Sequence, residues 1–186
     1  MTPAGPILAQ MLALLERAGI PFMVAGSFAS GHHGVPRMTR DLDLVIDPTR
    51  DQLVAFLDAV PVDALYVDRR AALEALGERS MFNVIDLHGG WKVDLIVRKA
   101  RAFSREELAR RQPAVLEGVQ LPVATAEDTI VAKLEWARRG RSERQLDDVR
   151  GIIGLQGTAL DRAYIERWVA ELGLGAEWRA AQAEPG

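Results

Sequence analysis

The stretch that decides the fold is GSFASGHHGVPRMTRDLDLVID, residues 26–47. It is preceded by residues 21–25 (PFMVA), a short apolar run that predicts a buried strand ending at Gly26. A strand that runs into a glycine turn and a short helix directs free backbone N–H groups toward an anion, and glycine lets a phosphate approach closely. Gly26 and Ser27 are therefore candidates for phosphate binding, although an ordinary turn between a strand and a helix has the same pattern.

Candidate metal ligands lie in the next predicted strand, Leu42–Ile46, and directly before it. The pattern Asp41-Leu42-Asp43-Leu44 places both carboxylates on one face, because side chains alternate along a strand. Two such carboxylates repel each other unless a cation lies between them or one is protonated. Oxygen ligands favour Mg²⁺ or Mn²⁺, so Asp41 and Asp43 are candidate ligands; a solvated strand face with alternating acids is the other interpretation.

A third candidate is Asp94, which lies in the apolar strand pattern KVDLIV at residues 92–97. An acid in such a strand is costly to bury without a partner. If this strand lies beside the one that carries Asp41 and Asp43, the three carboxylates form a site for two metal ions about 3.5 to 4 Å apart. A polar residue at a strand edge is the alternative.

The remaining patterns predict a mixed α/β domain at residues 1–125 and a helical domain at 126–186. A glycine turn predicts a hairpin of strands 81–87 and 91–97, and residues 115–123 are expected to return as a strand or hairpin. The last residues, 181–186, are expected to fray. The predicted helices are 6–18, 49–60, 69–76 ended by Gly77, 104–111 capped by Ser104, 126–139, 142–153, 161–172 and 174–183.

The helical half contains a lysine on an apolar stripe. Thr125 is the predicted N-cap, with Asp128 in the capping-box position, and Lys133 follows among apolar residues. The ammonium of Lys133 could reach the β- and γ-phosphates of a nucleotide, or its stem could pack on the core while its head extends into water. On the next helix, Asp148 borders the apolar stripe and is expected to point inward, whereas Asp147 is expected to face solvent.

Other charged and aromatic residues allow more than one interpretation. Arg37 and Arg40 could neutralise nucleotide phosphates, or one of them could pair with an acid such as Asp47. The pair His32-His33 has no partner at metal-ligand spacing. An arginine cluster could guide an RNA acceptor, although a solvated face is favoured, and the tryptophans are expected to pack between helices. These residues are Arg138, Arg139, Arg141 and Arg144, and Trp136, Trp168 and Trp178.

The composition excludes several classes of protein. The chain has 186 residues, a formal net charge of −3 and 48% hydrophobic residues, as expected of a globular protein. It has no cysteine, so disulfides, thiolate metal sites and thiol nucleophiles are excluded. The pattern GxxxxGK[ST] of P-loop kinases is absent. No apolar run approaches the roughly 18 residues of a membrane span and the first residues do not resemble a leader, which predicts a cytoplasmic protein without a membrane partner.

Taken together, these motifs resemble a known superfamily. Gly-Ser, then Asp-x-Asp after residues 28–40, then a later apolar-Asp-apolar, resembles the signature of the DNA polymerase β nucleotidyltransferases. Within it, the segment from residue 26 followed by TAEDTIVAKLEWARRG and RQLDDVRGII is similar to AbiEii/AbiGii toxin-type nucleotidyltransferases over about residues 20–155. The resemblance implies an α/β (α+β) fold, a mixed sheet with flanking helices, followed by a C-terminal helical bundle.

The resemblance also implies an activity: metal-dependent transfer of a nucleoside monophosphate from an NTP to a hydroxyl of RNA, protein or a small molecule. Asp41 and Asp43 would hold Mg²⁺ or Mn²⁺, and Asp94 would complete the site and assist deprotonation of the acceptor. Ser27 with nearby backbone and Lys133 would hold the triphosphate, and Asp148 would lie near the active site. A toxin role with a cognate antitoxin is a further implication. The alternative is a protein of the same fold that binds a nucleotide or a partner without turnover.

Overall fold

The computed structural model describes residues 3–183, which form two compact units. The sheet unit comprises residues 3–25 and 39–123, and the helical unit comprises residues 26–38 and 124–183. The chain passes from the sheet unit to the helical unit after Val123, and residues 26–38, which the sequence analysis assigned to the domain at 1–125, also belong to the helical unit. The division into domains 1–125 and 126–186 stays a prediction. Residues 184–186, part of the segment expected to fray, lie outside the described residues.

The sheet unit contains a mixed sheet of seven strands within the described residues, as the fold class predicts. The strand order is β3-β4-β5-β2-β1-β7-β6; β2 pairs with β5 and β1 with β7 in parallel, and the other neighbours are antiparallel. The strands are β1 (Phe22–Val24), β2 (Asp41–Ile46), β3 (Leu65–Val67), β4 (Met81–Asp86), β5 (Lys92–Val97), β6 (Gln112–Leu116) and β7 (Val119–Val123).

The centre of the sheet follows from the alternation in β2 and β5. Leu42 and Leu44 of β2 are fully buried and lie opposite Val93 and Leu95 of β5, which are also fully buried. Because side chains alternate across a strand, the intervening polar residues are carried on the other face of the same pair. One face of this strand pair is therefore core, and the other presents charged side chains.

The helices of the sheet unit are close to their predicted positions, with two differences at helix ends. The fourth helix passes through Gly77 and ends where Arg79 takes the left-handed conformation, φ 50°. Ser104 lies inside the fifth helix rather than at its N-cap, where Arg101 stands, and it accepts a hydrogen bond from Arg101 Nε at 3.1 Å. The helices are α1 (Gly5–Arg17), α3 (Arg50–Ala59), α4 (Arg69–Glu78) and α5 (Ala102–Arg110).

The helical unit contains the segment that follows β1 and the helices of the C-terminal third. Thr125 caps its second helix as predicted, since its hydroxyl accepts from the Asp128 backbone N–H at 3.1 Å. The Asp128 carboxylate is fully buried and accepts from the Thr125 and Tyr164 hydroxyls at 2.6 and 2.5 Å. The helices are α2 (Gly26–His33), α6 (Ala126–Gly140), α7 (Glu143–Gln156), α8 (Arg162–Leu172) and α9 (Gly175–Gln182). Residues 181 and 182 are thus helical, although fraying was expected from residue 181 onward.

Residues 26–38 belong to the helical unit because α2 packs closely on α7. A Cβ at Gly34 would lie 2.8 Å from the Ile152 nitrogen and 2.9 Å from the Gly151 carbonyl carbon, closer than side chains approach backbone. Gln156 Nε2 donates to the His33 carbonyl oxygen at 2.8 Å. Glycine at position 34 therefore permits a backbone contact across more than a hundred residues of sequence, and no local pattern indicates it.

Two of the three tryptophans expected to pack between helices do so. Trp168 and Trp178 are buried, but Trp136 is 47% exposed, and the Arg139 guanidinium lies 5.6 Å from the centroid of the Trp136 ring.

Among residues 3–183 there is no helix with the length and apolar character needed to cross a membrane.

Candidate active site

The three acids singled out in the sequence lie on neighbouring strands of the sheet unit. Asp43 of β2 is the register partner of Asp94 of β5 in the parallel pair, and Asp41 lies two residues before Asp43 on the same face. The condition stated in the sequence analysis, that the strand carrying Asp94 lies beside the strand carrying Asp41 and Asp43, is met. Asp94 is buried, Asp43 is half-buried and Asp41 is exposed, so the acids extend from the sheet interior to solvent. We call this surface the carboxylate face; it comprises Asp41, Asp43, Asp94, Lys92 and Asn83.

Lys92 lies on the carboxylate face opposite Asp41, and the sequence analysis gave it no role. Its ammonium is 3.0 Å from Asp94 Oδ2 and 3.5 Å from Asp41 Oδ1. The hydrogen bond to Asp94 raises the pKa of the Lys92 ammonium above its ordinary value. A usable signal was present in the sequence, because Lys92 precedes Asp94 by two residues in the same strand and must share its face.

Asn83 supplies the other partner of Asp94. It lies opposite Asp94 in the antiparallel pair of β4 and β5, and its amide nitrogen donates to Asp94 Oδ1. Both carboxylate oxygens of Asp94 are therefore held, one by an amide and one by an ammonium. Sequence reasoning missed Asn83 because its partner depends on the hairpin register, which the glycine turn alone does not specify.

The chemistry of these donors fits a hard divalent cation, since three carboxylates on two adjacent strands are oxygen ligands of the kind Mg²⁺ and Mn²⁺ prefer. The Lys92 ammonium shows that the face accommodates positive charge between Asp41 and Asp94. As the side chains stand, however, residues 3–183 contain no group of three or more His, Cys, Asp or Glu placed to hold a metal ion. The assignment of the three acids as metal ligands thus stays a prediction.

A second group of charges is centred on Asp148 in the helical unit. Lys133 Nζ of α6 lies 2.6 Å from Asp148 Oδ2, and Arg37 Nε lies 3.1 Å from Asp148 Oδ1. The Lys133 and Asp148 side chains are only 5% and 7% exposed, so the lysine is held by an ion pair and does not extend into water. Asp147 is 64% exposed and pairs with Arg150, so the inward orientation of Asp148 agrees with the helical spacing.

Ser27 and Arg37 complete this group, which we call the Asp148 cluster: Ser27, Arg37, Lys133 and Asp148. Arg37 Nη2 donates to the Ser27 hydroxyl. Arg37 Nη1 is buried and has no hydrogen-bond acceptor within the described part of the chain. The cluster thus combines two cations with one carboxylate and retains a buried guanidinium donor suited to an additional anionic oxygen.

Gly26 begins helix α2 with a φ of 58°, a conformation that an L side chain rarely adopts. Ser27 follows it in the first turn, where helix N–H groups have no intrahelical partner. Glycine at position 26 is therefore explained by the backbone conformation, and Ser27 is held by its hydrogen bond from Arg37. Both features are compatible with the expected phosphate site.

Solved structures resemble this chain at low sequence identity, whereas no protein-family model and no curated protein matches it. The crystal structure of ANT(2'')-Ia in complex with adenylyl-2''-tobramycin has a TM-score of 0.60 at 13% identity, covering 90% of this chain and 97% of that one. An antigenic nucleotidyltransferase-like protein from Paracoccidioides brasiliensis has a TM-score of 0.54 at 18% identity, and the match covers 94% of this chain and 88% of that one. The crystal structure of the lincosamide antibiotic adenylyltransferase LnuA, lincomycin-bound, has a TM-score of 0.52 at 11% sequence identity. The match covers 80% of this chain and 95% of that one.

The chain has a nucleotidyltransferase fold. The similarity to these structures agrees with the expected mixed sheet, flanking helices and C-terminal helices. Because the sequence identities are low, the similarity establishes the fold alone. The finer resemblance to the AbiEii/AbiGii type is not confirmed by them and stays a prediction.

Within this nucleotidyltransferase fold, the remaining candidate residues differ in their surroundings. Arg40 is exposed and forms no ion pair with any residue between 3 and 183. Asp47, named as a possible partner of Arg37 or Arg40, instead pairs with Arg98 at 2.8 Å and Arg79 at 4.0 Å. Arg37 does pair with an acid, but that acid is Asp148.

His33 and Arg138 both form hydrogen bonds to backbone carbonyl oxygens. His33 Nε2 lies 2.7 Å from the Ala124 carbonyl oxygen and must donate to it, because a carbonyl only accepts. Burial lowers the pKa of His33, which keeps the ring neutral. Arg138 donates to the Leu172 and Gly173 carbonyl oxygens at 2.8 and 3.3 Å, so it binds backbone oxygens at the C-terminal end of helix α8.

Proposed function

We propose that this protein is a metal-dependent nucleotidyltransferase that moves a nucleoside monophosphate from an NTP to an acceptor hydroxyl. The observation that carries the proposal is the register pairing of Asp43 with Asp94, with Asp41 on the same face of the sheet. Three carboxylates on one strand pair form a donor set for divalent cations, and such cations neutralise the charge that develops in phosphoryl transfer. A nucleotidyltransferase fold supports this reaction class.

In the proposed reaction, the acceptor oxygen forms a bond to the α-phosphorus, the bond between that phosphorus and the bridging oxygen breaks, and pyrophosphate leaves. Asp41, Asp43 and Asp94 would hold the Mg²⁺ or Mn²⁺ ions, which supply charge neutralisation when bound. Asp94 would also assist removal of the acceptor proton, a role implied by the resemblance. Asn83 orients Asp94 through the hydrogen bond to Oδ1. Positioning and electrostatics thus account for most of the expected catalysis.

For the helical unit, we propose that the Asp148 cluster binds phosphate oxygens. Arg37 and Lys133 bring two cationic groups to the cluster, and cationic side chains of this kind bind phosphate oxygens. The Arg37 Nη1 donor and the Ser27 hydroxyl are groups that bind phosphate in proteins. Asp148 would fix the two cations in position, and Gly26 and Arg40 belong to the same proposed nucleotide-binding set.

The proposed acceptor is a hydroxyl of RNA, a protein or a small molecule. A small-molecule acceptor is supported by the adenylyl-2''-tobramycin bound to ANT(2'')-Ia and by the lincomycin bound to LnuA. The resemblance to toxin-type enzymes favours RNA or protein, with a cognate antitoxin as partner. A cytoplasmic location belongs to the same proposal, because NTPs are cytoplasmic metabolites.

The test is a transfer assay with each α-labelled NTP and millimolar Mg²⁺ or Mn²⁺. Parallel reactions contain tobramycin, lincomycin, total RNA or lysate protein, and matched reactions contain a chelator or the Asp43→Asn variant. Metal-dependent labelling in one acceptor fraction, lost in both matched controls, would support the proposal. Binding of NTP without label transfer in any fraction would instead support the nucleotide-binding protein without turnover.

A further inference from the structure

Lys92 has a place on the carboxylate face that the proposed reaction does not use. Its ammonium bridges Asp94 Oδ2 at 3.0 Å and Asp41 Oδ1 at 3.5 Å. Asp43, on the same face, is the register partner of Asp94. One ammonium thus contacts two of the three acids that are candidates for binding divalent cations.

Lys92 resolves an electrostatic problem of the metal-free chain. Three carboxylates on adjacent strands repel one another, and Asp94 is mostly buried, with its side chain 9% exposed, where an uncompensated charge is costly. Asn83 supplies one hydrogen bond to Asp94, but an amide adds no charge. The lysine is the group on this face that provides charge compensation to both Asp41 and Asp94.

The position of Lys92 also permits it to leave. Its side chain is 42% exposed, in contrast to Lys133, which is 5% exposed in its ion pair. A lysine has a flexible four-carbon stem and a strongly hydrated head, so the ammonium can move into water without exposing core. The ion pair of Lys92 with Asp41 is exposed on both sides and therefore weak, and the pair with Asp94 is exposed on the lysine side, so a divalent cation can replace the ammonium at both carboxylates.

We infer that Lys92 is an internal cation that competes with divalent metal for Asp41 and Asp94: it holds the carboxylates in the metal-free chain and is displaced when a metal ion binds. The inference rests on the proposed function, because it assumes that the carboxylate face binds metal. Metal entry then requires two ion pairs to break, so the metal affinity of the free protein is lower than three carboxylates alone would give. Lys92 is thus a positioning residue that sets the concentration at which a divalent metal ion binds to the carboxylate face.

The experiment is a Mn²⁺ titration of the full chain, with free Mn²⁺ measured by electron paramagnetic resonance. Lys92→Gln should bind Mn²⁺ more tightly than the wild type by about five- to tenfold, the scale of one or two partly exposed ion pairs. Lys92→Arg keeps the charge and should stay within about twofold of the wild type on the same scale. Arg40→Gln is the matched control, because it removes one positive charge beside Asp41 without removing an ion pair, and it should change the affinity less than Lys92→Gln.

Unfolding with and without Mn²⁺ provides a second measurement. Metal-free Lys92→Gln should melt below the wild type and gain more from saturating Mn²⁺. Equal or weaker Mn²⁺ binding by Lys92→Gln, with binding by the wild type intact, would overturn the inference and leave the proposed function standing. An equal gain in Arg40→Gln would also overturn it, because net charge alone would then explain the change. If neither the wild type nor any variant binds Mn²⁺, both proposals fail.

Discussion

The Lys133 ammonium lies 2.6 Å from Asp148 Oδ2, and both side chains are almost completely buried. Asp148 is shared, because Arg37 contacts its other oxygen at 3.1 Å. Removal of Asp148 therefore leaves two cations without their carboxylate, whereas removal of Lys133 leaves the pair of Arg37 and Asp148. The burial of this charge cluster has a direct consequence for stability, because a buried charge without its partner is expensive.

We expect Asp148→Asn to lower the free energy of unfolding by about 3 to 5 kcal/mol, the range for breaking a buried ion pair. Asp147→Asn is the matched control on the same helix; its carboxylate is 64% exposed and pairs with Arg150, so its loss should cost at most about 1 kcal/mol. Lys133→Met should cost less than Asp148→Asn. Urea unfolding of the variants checks the order, and equal losses for Asp147→Asn and Asp148→Asn would contradict it.

Lys133→Ala should weaken binding of an NTP more than binding of the corresponding monophosphate, by about 1 to 3 kcal/mol for a charged hydrogen bond. Lys133→Arg should not restore the affinity fully, because guanidinium geometry differs from that of an ammonium. Isothermal titration calorimetry on the folded variants measures both constants. Arg141→Ala, at the end of helix α6, is the control with unchanged affinity. An unchanged preference for triphosphate in Lys133→Ala would separate this lysine from nucleotide binding.

Mn²⁺ should stabilise the wild-type chain by mass action if the carboxylate face binds it. At a concentration of ten times Kd the gain is about 1.4 kcal/mol, and for a chain of this length that raises the melting temperature by roughly 3 to 6 °C. Asp43→Asn removes a proposed ligand and one charge, so it should lose most of the increase. A thermal scan with and without millimolar Mn²⁺ tests this, and an identical increase in Asp43→Asn would exclude the site.

Asp41→Asn and Asp43→Asn should each lower nucleotidyl transfer by at least about a thousandfold, the scale on which a group central to charge stabilisation contributes. The fold should survive, because neither carboxylate is part of the buried core. Transfer assays and circular dichroism are measured on the same preparations. Loss of the circular dichroism spectrum together with the activity would mean that the two acids have a structural role.

His33 should make the stability of the helical unit depend on pH. Burial lowers its pKa in the folded chain below the ordinary value of 6.5, so the unfolded chain binds the proton more readily. The stabilising contribution of neutral His33 is complete above pH 6.5 and is lost as the pH falls below that value. His33→Gln can still donate to the Ala124 carbonyl oxygen but does not titrate. Urea unfolding on both sides of this pH should show a smaller loss for the variant than for the wild type; equal losses would contradict the assignment.

The sequence by itself determined which residues share a face of one element. The alternation of Asp41 and Asp43 with leucines, the position of Lys133 on an apolar stripe and the inward side of Asp148 all follow from the periods of strand and helix. These periods are local properties of the backbone, so a single sequence suffices to read them. The predicted end of helix α4 was wrong. Gly77 resembles a residue that ends a helix, but the helix continues to Glu78.

Only the tertiary structure decided which residues of different elements meet. The pairing of Asp43 with Asp94 depends on strand order and register, and the contact of Arg37 with Asp148 joins residues 111 positions apart. The inclusion of residues 26–38 in the helical unit depends on the close approach of Gly34 to the backbone of α7. Such partners are chosen by the packing of many side chains at once, and no periodicity within a segment contains that information.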